Sequence, residues 1–210
     1  MQKAFQVLYE DNHLLGVYKP IGVPCQQAQP GVATILDIAK QYLIEKYQKP
    51  GNAFVGLIHR LDQPVSGVLL LAKTSKGASR LSEQFRTRSV EKVYRAWVQG
   101  VPPQMAGSLV REATAEEKSM SLEYRVLQKK AQHSLLEIVL GTGRKHQIRQ
   151  QLAEAGFPIV GDTLYGAKPF KRGEMMLVAY RLEFDHPTQK NRLAVELPKE
   201  LDLVSTSDFP

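Results

Sequence analysis

The sequence predicts one α+β domain on a mixed, mostly antiparallel β-sheet flanked by a few helices. Short apolar or alternating segments are typical of strands, and polar connections such as residues 129–132 join them as hairpins. Few segments carry the helical period, and no long linker or internal repeat divides residues 1–210. Hairpin-joined strands with few helices favour this class over a doubly wound parallel sheet. The strand segments are GVLLLA, KVYRAWV, LEYRVL, SLLEIVL, MLVAYRLEF and RLAVEL.

The helices are predicted from their caps and apolar spacing. In TILDIAKQYLIEKYQKPG, Thr34 can cap the first helix and Asp37 falls in its first turn. A second helix follows Thr74 or Ser75, and a third lies in RKHQIRQQLAEAGFP and ends at Gly156. The predicted apolar faces comprise Ile35, Ile38, Ala39 and Tyr42 in the first helix, Ala78, Leu81 and Phe85 in the second, and Ile148, Leu152 and Ala155 in the third.

Composition limits the partners and the compartment. Lys and Arg number 28 against 21 Asp and Glu, which gives a net charge of +7 and a pI near 9.4. This excess favours a polyanionic partner, with a merely soluble basic protein as the open alternative.

Cys25 is the only cysteine, so an intramolecular disulfide is excluded. With neither a signal-length nor a membrane-length apolar segment, we expect a cytoplasmic protein, without a membrane partner and monomeric by default.

Several catalytic motifs are missing from the sequence. GTGRKHQ lacks the spacing of a nucleoside-triphosphate loop and the third glycine of a dinucleotide fingerprint, so no nucleotide cofactor is expected. The five histidines lack ligand spacing, and we expect no metal site. Ser66 follows His59 and Asp62 closely, but the G-x-S-x-G elbow of a serine hydrolase is absent.

Three ionisable residues, His59, Arg60 and Asp62, precede one of the most apolar runs of the chain, GVLLLA. Buried charges are unfavourable by several kcal/mol unless they are paired or hydrogen-bonded. The cluster therefore predicts either a structural ion cluster or a working site.

Several motifs carry a resemblance to a known family. HRLDQPVSGVLLLAK, KVYRAWVQG and GTGRKHQIRQQLAEAGFPIVGDTLYG, in this order, resemble the RluA family of pseudouridine synthases, which isomerise specific uridines in ribosomal or transfer RNA. The resemblance runs from VLYEDNHLLGVYKPIGVP near residue 7 to about residue 197. It implies the family's catalytic fold, a structured RNA as partner and a single catalytic domain over residues 1–210. No separate N-terminal RNA-binding domain is expected, since only about six residues precede the first motif.

The resemblance also implies roles for individual residues. Asp62 is the catalytic carboxylate, Tyr94 is the ring that meets the target base, and Arg149 is the cation paired with Asp62. Arg60 enters the RNA where the flipped base has left, since a uridine in folded RNA must be extruded before it can react. Further predicted RNA-binding residues are His59, Arg144, Lys145 and His146.

The reaction explains why one carboxylate could suffice. Pseudouridylation breaks the bond from uracil N1 to ribose C1′, turns the base and rebuilds the link through C5. The carboxylate of Asp62 can act as nucleophile at C1′ or as base at C2′, and both roles remain open. Arg149 would orient Asp62 and favour its ionised form, whereas an ordinary buried ion pair is the alternative.

Three residues depart from the family pattern, and two rival functions stay open. Tyr18 stands where the family often has Asn, Lys145 where Thr or Ser is usual, and Gln151 where His is frequent. These departures concern substrate contacts more than catalysis. The rival functions are a catalytically silent RNA-binding or ribosome-assembly protein and a glycoside or nucleoside hydrolase, for which a clear second carboxylate is lacking.

Overall fold

A computed structural model describes residues 5–26, 30–112, 119–189, 191–202 and 204. Within these residues the chain forms three α-helices and ten β-strands. No described helix has the length and apolar character needed to cross a membrane. The helices are α1 (Ile35–Tyr47), α2 (Ser75–Thr87) and α3 (Gln147–Glu154). The strands are β1 (Gln6–Glu10), β2 (Leu14–Lys19), β3 (Gly56–Leu57), β4 (Ser66–Ala72), β5 (Glu91–Gln99), β6 (Ala106–Arg111), β7 (Met120–Lys130), β8 (His133–Leu140), β9 (Leu177–Asp185) and β10 (Arg192–Glu196).

The chain divides into two compact units. The first comprises Met1–Val90 and Arg181–Leu197, and the second comprises Glu91–Tyr180 and Pro198–Pro210. The boundary between the units falls inside β9. The predicted α+β class with a mostly antiparallel sheet and few helices is confirmed. A single catalytic domain over residues 1–210 stays a prediction.

The first unit contains the strand that follows the ionisable cluster. β2 pairs with β1 and with β4, β3 pairs with β4, and β10 pairs with the second half of β9, all antiparallel. All seven residues of β4 are buried. A continuous apolar strand covered on both faces is a rigid support, so a loop joined to its first residue inherits a fixed position.

The helices of the first unit begin where the sequence predicts. Thr34 and Asp37 form a capping box at the start of α1, and the Thr74 side chain accepts from the Gly77 amide at the start of α2. The predicted apolar face of α1 is partly wrong. Its buried residues are Ile35, Ala39 and Leu43, whereas Ile38 and Tyr42 are half-buried.

The second unit is an antiparallel sheet in the order β5-β8-β7-β6, with α3 following β8. The predicted hairpin is confirmed, because Lys130 pairs with His133 around a turn that contains Ala131 at φ 51°. Helix α3 begins at Gln147, later than its predicted segment, since His146 takes the left-handed conformation (φ 55°). A left-handed residue interrupts helical hydrogen bonding, so residues 141–146 remain a loop.

Candidate active site

Asp62 lies in the loop between β3 and β4 of the first unit. Its side chain is half-buried, Arg60 is exposed, and Leu61 between them is buried. The Val65 amide donates to the Asp62 carbonyl oxygen at 3.0 Å and closes a tight turn. The loop therefore keeps its apolar residue in the core while both ionisable side chains remain near the surface.

Lys19 anchors this loop from the end of β2. It is fully buried, and its Nζ donates to the carbonyl oxygens of Pro20 at 3.0 Å, Val23 at 2.9 Å and Gln63 at 3.1 Å. An ammonium group has three protons, so these three acceptors satisfy it. The residue that follows Asp62 is thereby tied to the segment 20–23. Sequence reasoning missed Lys19, although a lysine that ends the apolar strand LLGVYK is a signal.

Cys25 and Gly22 provide further tethers. The Leu61 amide donates to Cys25 Sγ at 3.4 Å, and the thiol lies 3.3 Å from the Leu61 carbonyl oxygen, to which it donates. The Gly22 amide donates to the Gln63 carbonyl oxygen at 2.9 Å, and Gln63 Nε2 donates back to the Gly22 carbonyl oxygen at 3.0 Å. The residues on both sides of Asp62 are therefore held in place, mainly through their backbone atoms.

His59 fixes the other end of the loop. Its Nε2 accepts from the Leu70 amide of β4 at 3.0 Å, and its ring stacks on Phe85 of α2 with centroids 4.7 Å apart. Because Nε2 accepts, the neutral ring carries its proton on Nδ1. The geometry gives His59 a packing role, and its RNA contact stays a prediction.

Burial controls the protonation of two anchoring residues. It lowers the pKa of Lys19 to about 8, and the charge of Asp62 opposes part of this shift. Burial likewise raises the pKa of the Cys25 thiol. The thiol is therefore held in its neutral form, which is poorly nucleophilic and suits a structural role.

The buried ammonium predicts a pH-dependent stability. Between pH 8 and 10.5 the unfolded chain keeps the Lys19 proton that the folded chain has released, so stability rises with pH across this window. We expect the free energy of unfolding of the wild type to rise relative to Lys19→Met by up to about 3 kcal/mol. Urea unfolding at pH 7, 9 and 10.5 measures the difference, with exposed Lys76→Met as control. A pH-independent difference between wild type and Lys19→Met would contradict the shift.

Tyr94 lies in β5 of the second unit and is half-buried. It pairs with Ile138 of β8, and alternation along the strand places Lys92 and Ala96 on its face of the sheet. Both of these neighbours are buried, and Lys92 Nζ donates to the Thr142 carbonyl oxygen at 3.4 Å. The ring of Tyr94 is thus set in a rigid strand and keeps part of its surface accessible.

Arg149 projects from α3 and forms a buried ion pair with Asp162. Its Nε and Nη2 donate to the two carboxylate oxygens, each at 2.7 Å. Sequence reasoning missed Asp162, although it lies in the glycine-bounded GDTLYG segment. The pairing of Arg149 with Asp62 stays a prediction.

The loop before α3 carries the predicted basic residues. Arg144 and Lys145 are exposed, and His146 is half-buried. The buried Gln147 side chain fixes this loop, since its Oε1 accepts from Thr142 Oγ1 at 2.7 Å and from the Arg144 amide at 3.1 Å. The two cations therefore extend from an ordered turn next to the helix N-terminus, where an anion is favoured.

Two of the three departures from the family pattern are interior residues. Tyr18 is 1% exposed in β2, and Gln151 is 4% exposed in α3. Gln151 Nε2 donates to the Leu109 carbonyl oxygen of β6 at 3.1 Å. These two side chains therefore lie in the interior, and Lys145 is the exposed departure. Among the described residues, no group of three or more His, Cys, Asp or Glu is placed to hold a metal ion.

Comparisons with known proteins relate this sequence and fold to others. The chain is 30% identical to a ribosomal large subunit pseudouridine synthase D of Neisseria meningitidis serogroup A, over 93% of this chain and 58% of that protein. It is 29% identical to a tRNA pseudouridine synthase C of Pectobacterium carotovorum, over 91% of this chain and 58% of that protein. The chain thus spans little more than half the length of these relatives.

A solved structure, human RNA pseudouridylate synthase domain containing 4, has the same fold. The two superpose with a TM-score of 0.79 at 24% identity, over 93% of this chain and 89% of that one. The family model described as RNA pseudouridylate synthase matches residues 13–154, more than half of the chain. The chain therefore belongs to the RNA pseudouridylate synthase family, as its resemblance to the RluA group predicts.

Proposed function

We propose that this chain is an RNA pseudouridine synthase that isomerises specific uridines in ribosomal or transfer RNA. The observation that carries the proposal is the loop of Asp62, which Lys19, Cys25 and His59 hold through backbone atoms on both sides of the carboxylate. A reacting group needs this rigidity, since a displacement of about 1 Å can lower a rate by about 100-fold.

Each remaining residue has a part in the proposed reaction. Asp62 acts at the sugar of the extruded uridine, Tyr94 meets its base, and Arg149 orients Asp62. Arg60, exposed at the same loop, enters the space that the base leaves in the RNA, where its planar head can form several hydrogen bonds. The isomerisation transfers no electrons and no phosphate, so the proposed reaction uses no cofactor.

The RNA itself is held mainly by charge. A net charge of +7 favours association with a polyanion, and exposed Arg144 and Lys145 supply phosphate contacts beside the N-terminus of α3. Phosphate contacts position the RNA without reading its sequence. We therefore propose that the target uridine is selected by residues that contact the extruded base and the adjacent nucleotides.

Product analysis tests the proposed function against its rivals. The purified chain is incubated with total RNA from host cells that lack it, labelled with tritium at uridine C5. Tritium release together with new pseudouridine supports the proposal, because the hydrogen at C5 leaves when the new carbon link forms. Release of free uracil would indicate a hydrolase, and binding without any product would indicate a silent RNA-binding protein. Mapping the new pseudouridines identifies the RNA and the position.

A further inference from the structure

The ion pair between Arg149 and Asp162 has the geometry of a clamp. Nε and Nη2 of the guanidinium each donate to a different oxygen of Asp162 at 2.7 Å. The side chains are only 7% and 1% exposed. Two parallel charge-assisted hydrogen bonds fix the plane of a guanidinium as well as its position.

A tyrosine restrains the same guanidinium from a second side. The ring centroid of Tyr165 lies 5.1 Å from the central carbon of the Arg149 guanidinium, within range of a cation–π interaction. Tyr165 Oη lies 3.2 Å from Nδ1 of His146, which occupies the N-cap position of α3. The Arg149 side chain is therefore restrained by two residues of one turn, and that turn is tied back to the start of its own helix.

The backbone around Asp162 is itself fixed. Its carbonyl oxygen accepts from the amides of Tyr165 and Ala167, each at 3.1 Å, and its own amide donates to Ile159 at 3.0 Å. Gly161 has a φ of 82°, and a Cβ there would collide with the Glu174 carbonyl group, so only glycine fits. Such a turn presents the carboxylate of Asp162 in one position.

A buried ion pair is seldom retained for stability alone. Desolvation of both charges offsets most of their attraction, and apolar residues of similar volume often stabilise a fold as well or better. The pair does, however, fix the direction in which a cation presents its remaining protons. This property matters most for a cation that acts in the reaction.

We propose that Asp162 is a positioning residue of the isomerisation and acts through Arg149. It fixes the position and the plane of the guanidinium with which, in the proposed function, Arg149 orients the carboxylate of Asp62. This inference rests on the proposed function, and it assigns to the GDTLYG turn a kinetic role in addition to a structural one.

Asp162→Asn tests the role, because Asn keeps the size of the side chain but removes its charge and one acceptor. We expect the single-turnover rate of tritium release, at saturating enzyme, to fall about 10- to 100-fold. RNA affinity should stay within about twofold, since the pair is buried and contributes little to phosphate contacts. Asp162→Glu, which keeps the charge, should recover part of the rate.

A second ion pair in the same unit, in which only the carboxylate is buried, supplies a control. Arg95 Nη1 donates to Asp202 at 2.9 Å, and Asp202 is 1% exposed. Arg95 alternates with Tyr94 and lies on the opposite face of β5. Asp202→Asn should therefore lower the melting temperature but leave the single-turnover rate within about twofold of the wild type. Equal rate losses in the two variants would overturn the inference, as would a wild-type rate in Asp162→Asn.

A double-mutant cycle tests whether Asp162 acts through Arg149. Arg149→Lys keeps the charge but cannot form the bidentate pair. If the two residues act as one unit, adding Asp162→Asn to Arg149→Lys should lower the rate by less than about threefold further. Rate losses that multiply would show independent roles and overturn the inference. A wild-type chain that releases no tritium from any RNA would instead refute the proposed function, and this inference with it.

Discussion

Asp62→Asn should lower the single-turnover rate of pseudouridine formation about 1,000-fold or more while RNA affinity stays within about twofold. The substitution keeps the shape of the side chain and removes the reacting oxygen anion, which nucleophilic and general-base roles require equally. The loop should keep its position, because Lys19 and Cys25 hold the backbone of Gln63 and Leu61, which the substitution leaves unchanged. Tritium release at C5 and RNA binding by filter retention measure the two quantities.

Glu83→Gln is the matched control for this prediction. Glu83 lies in α2 of the same unit, its side chain is 53% exposed, and it pairs with Arg86. Both substitutions remove one negative charge, so a general effect of net charge on RNA binding appears equally in both. We expect Glu83→Gln to react at the wild-type rate. Turnover retained in Asp62→Asn and in Asp62→Ala would remove Asp62 from the reaction.

The start of each helix shows what local sequence can predict. Thr34 and Thr74 cap their helices through side chains that reach amides three residues ahead, an interaction contained within one turn. The start of α3 depends instead on the distant Ser121, whose carbonyl oxygen accepts from Gln147 Nε2 at 3.1 Å. Gly141 also packs closely against this strand, since a Cβ would lie 2.5 Å from Ser121 Oγ and 3.2 Å from the Ser121 carbonyl oxygen. Such constraints come from packing against another strand and leave no local pattern.

The candidate site shows the same division. Asp62, Tyr94 and Arg149 could be proposed from the sequence because each lies in a compact motif, and their roles stay predictions. The residues that support them could not be predicted, because their contacts join distant parts of the sequence. Lys19 contacts Gln63, and Asp162, in the turn after α3, contacts Arg149. A charged residue within an apolar segment is the signal that such support leaves in a sequence, and it does not name the partner.

Tyr94→Phe and Tyr94→Ala separate two contributions of the ring. Phe keeps the aromatic face and loses the hydroxyl, so we expect the single-turnover rate to fall about 100-fold if the hydroxyl transfers or holds a proton. Ala also removes the face on which, in the proposed function, the extruded uracil would rest. Because stacking of one base on an aromatic ring contributes about 1–3 kcal/mol, the Ala variant should lose roughly another 10-fold and bind the substrate RNA more weakly.

Tyr124 supplies the control that decides between a general packing effect and a role in the reaction. It is half-buried in β7 and pairs with Ile138, the same residue of β8 that Tyr94 pairs with from the other side. The two rings therefore occupy one row across three strands and share a sheet environment. Tyr124→Phe should leave the rate unchanged while Tyr94→Phe lowers it. If both Tyr94 variants react at the wild-type rate, the ring of Tyr94 has no part in the reaction.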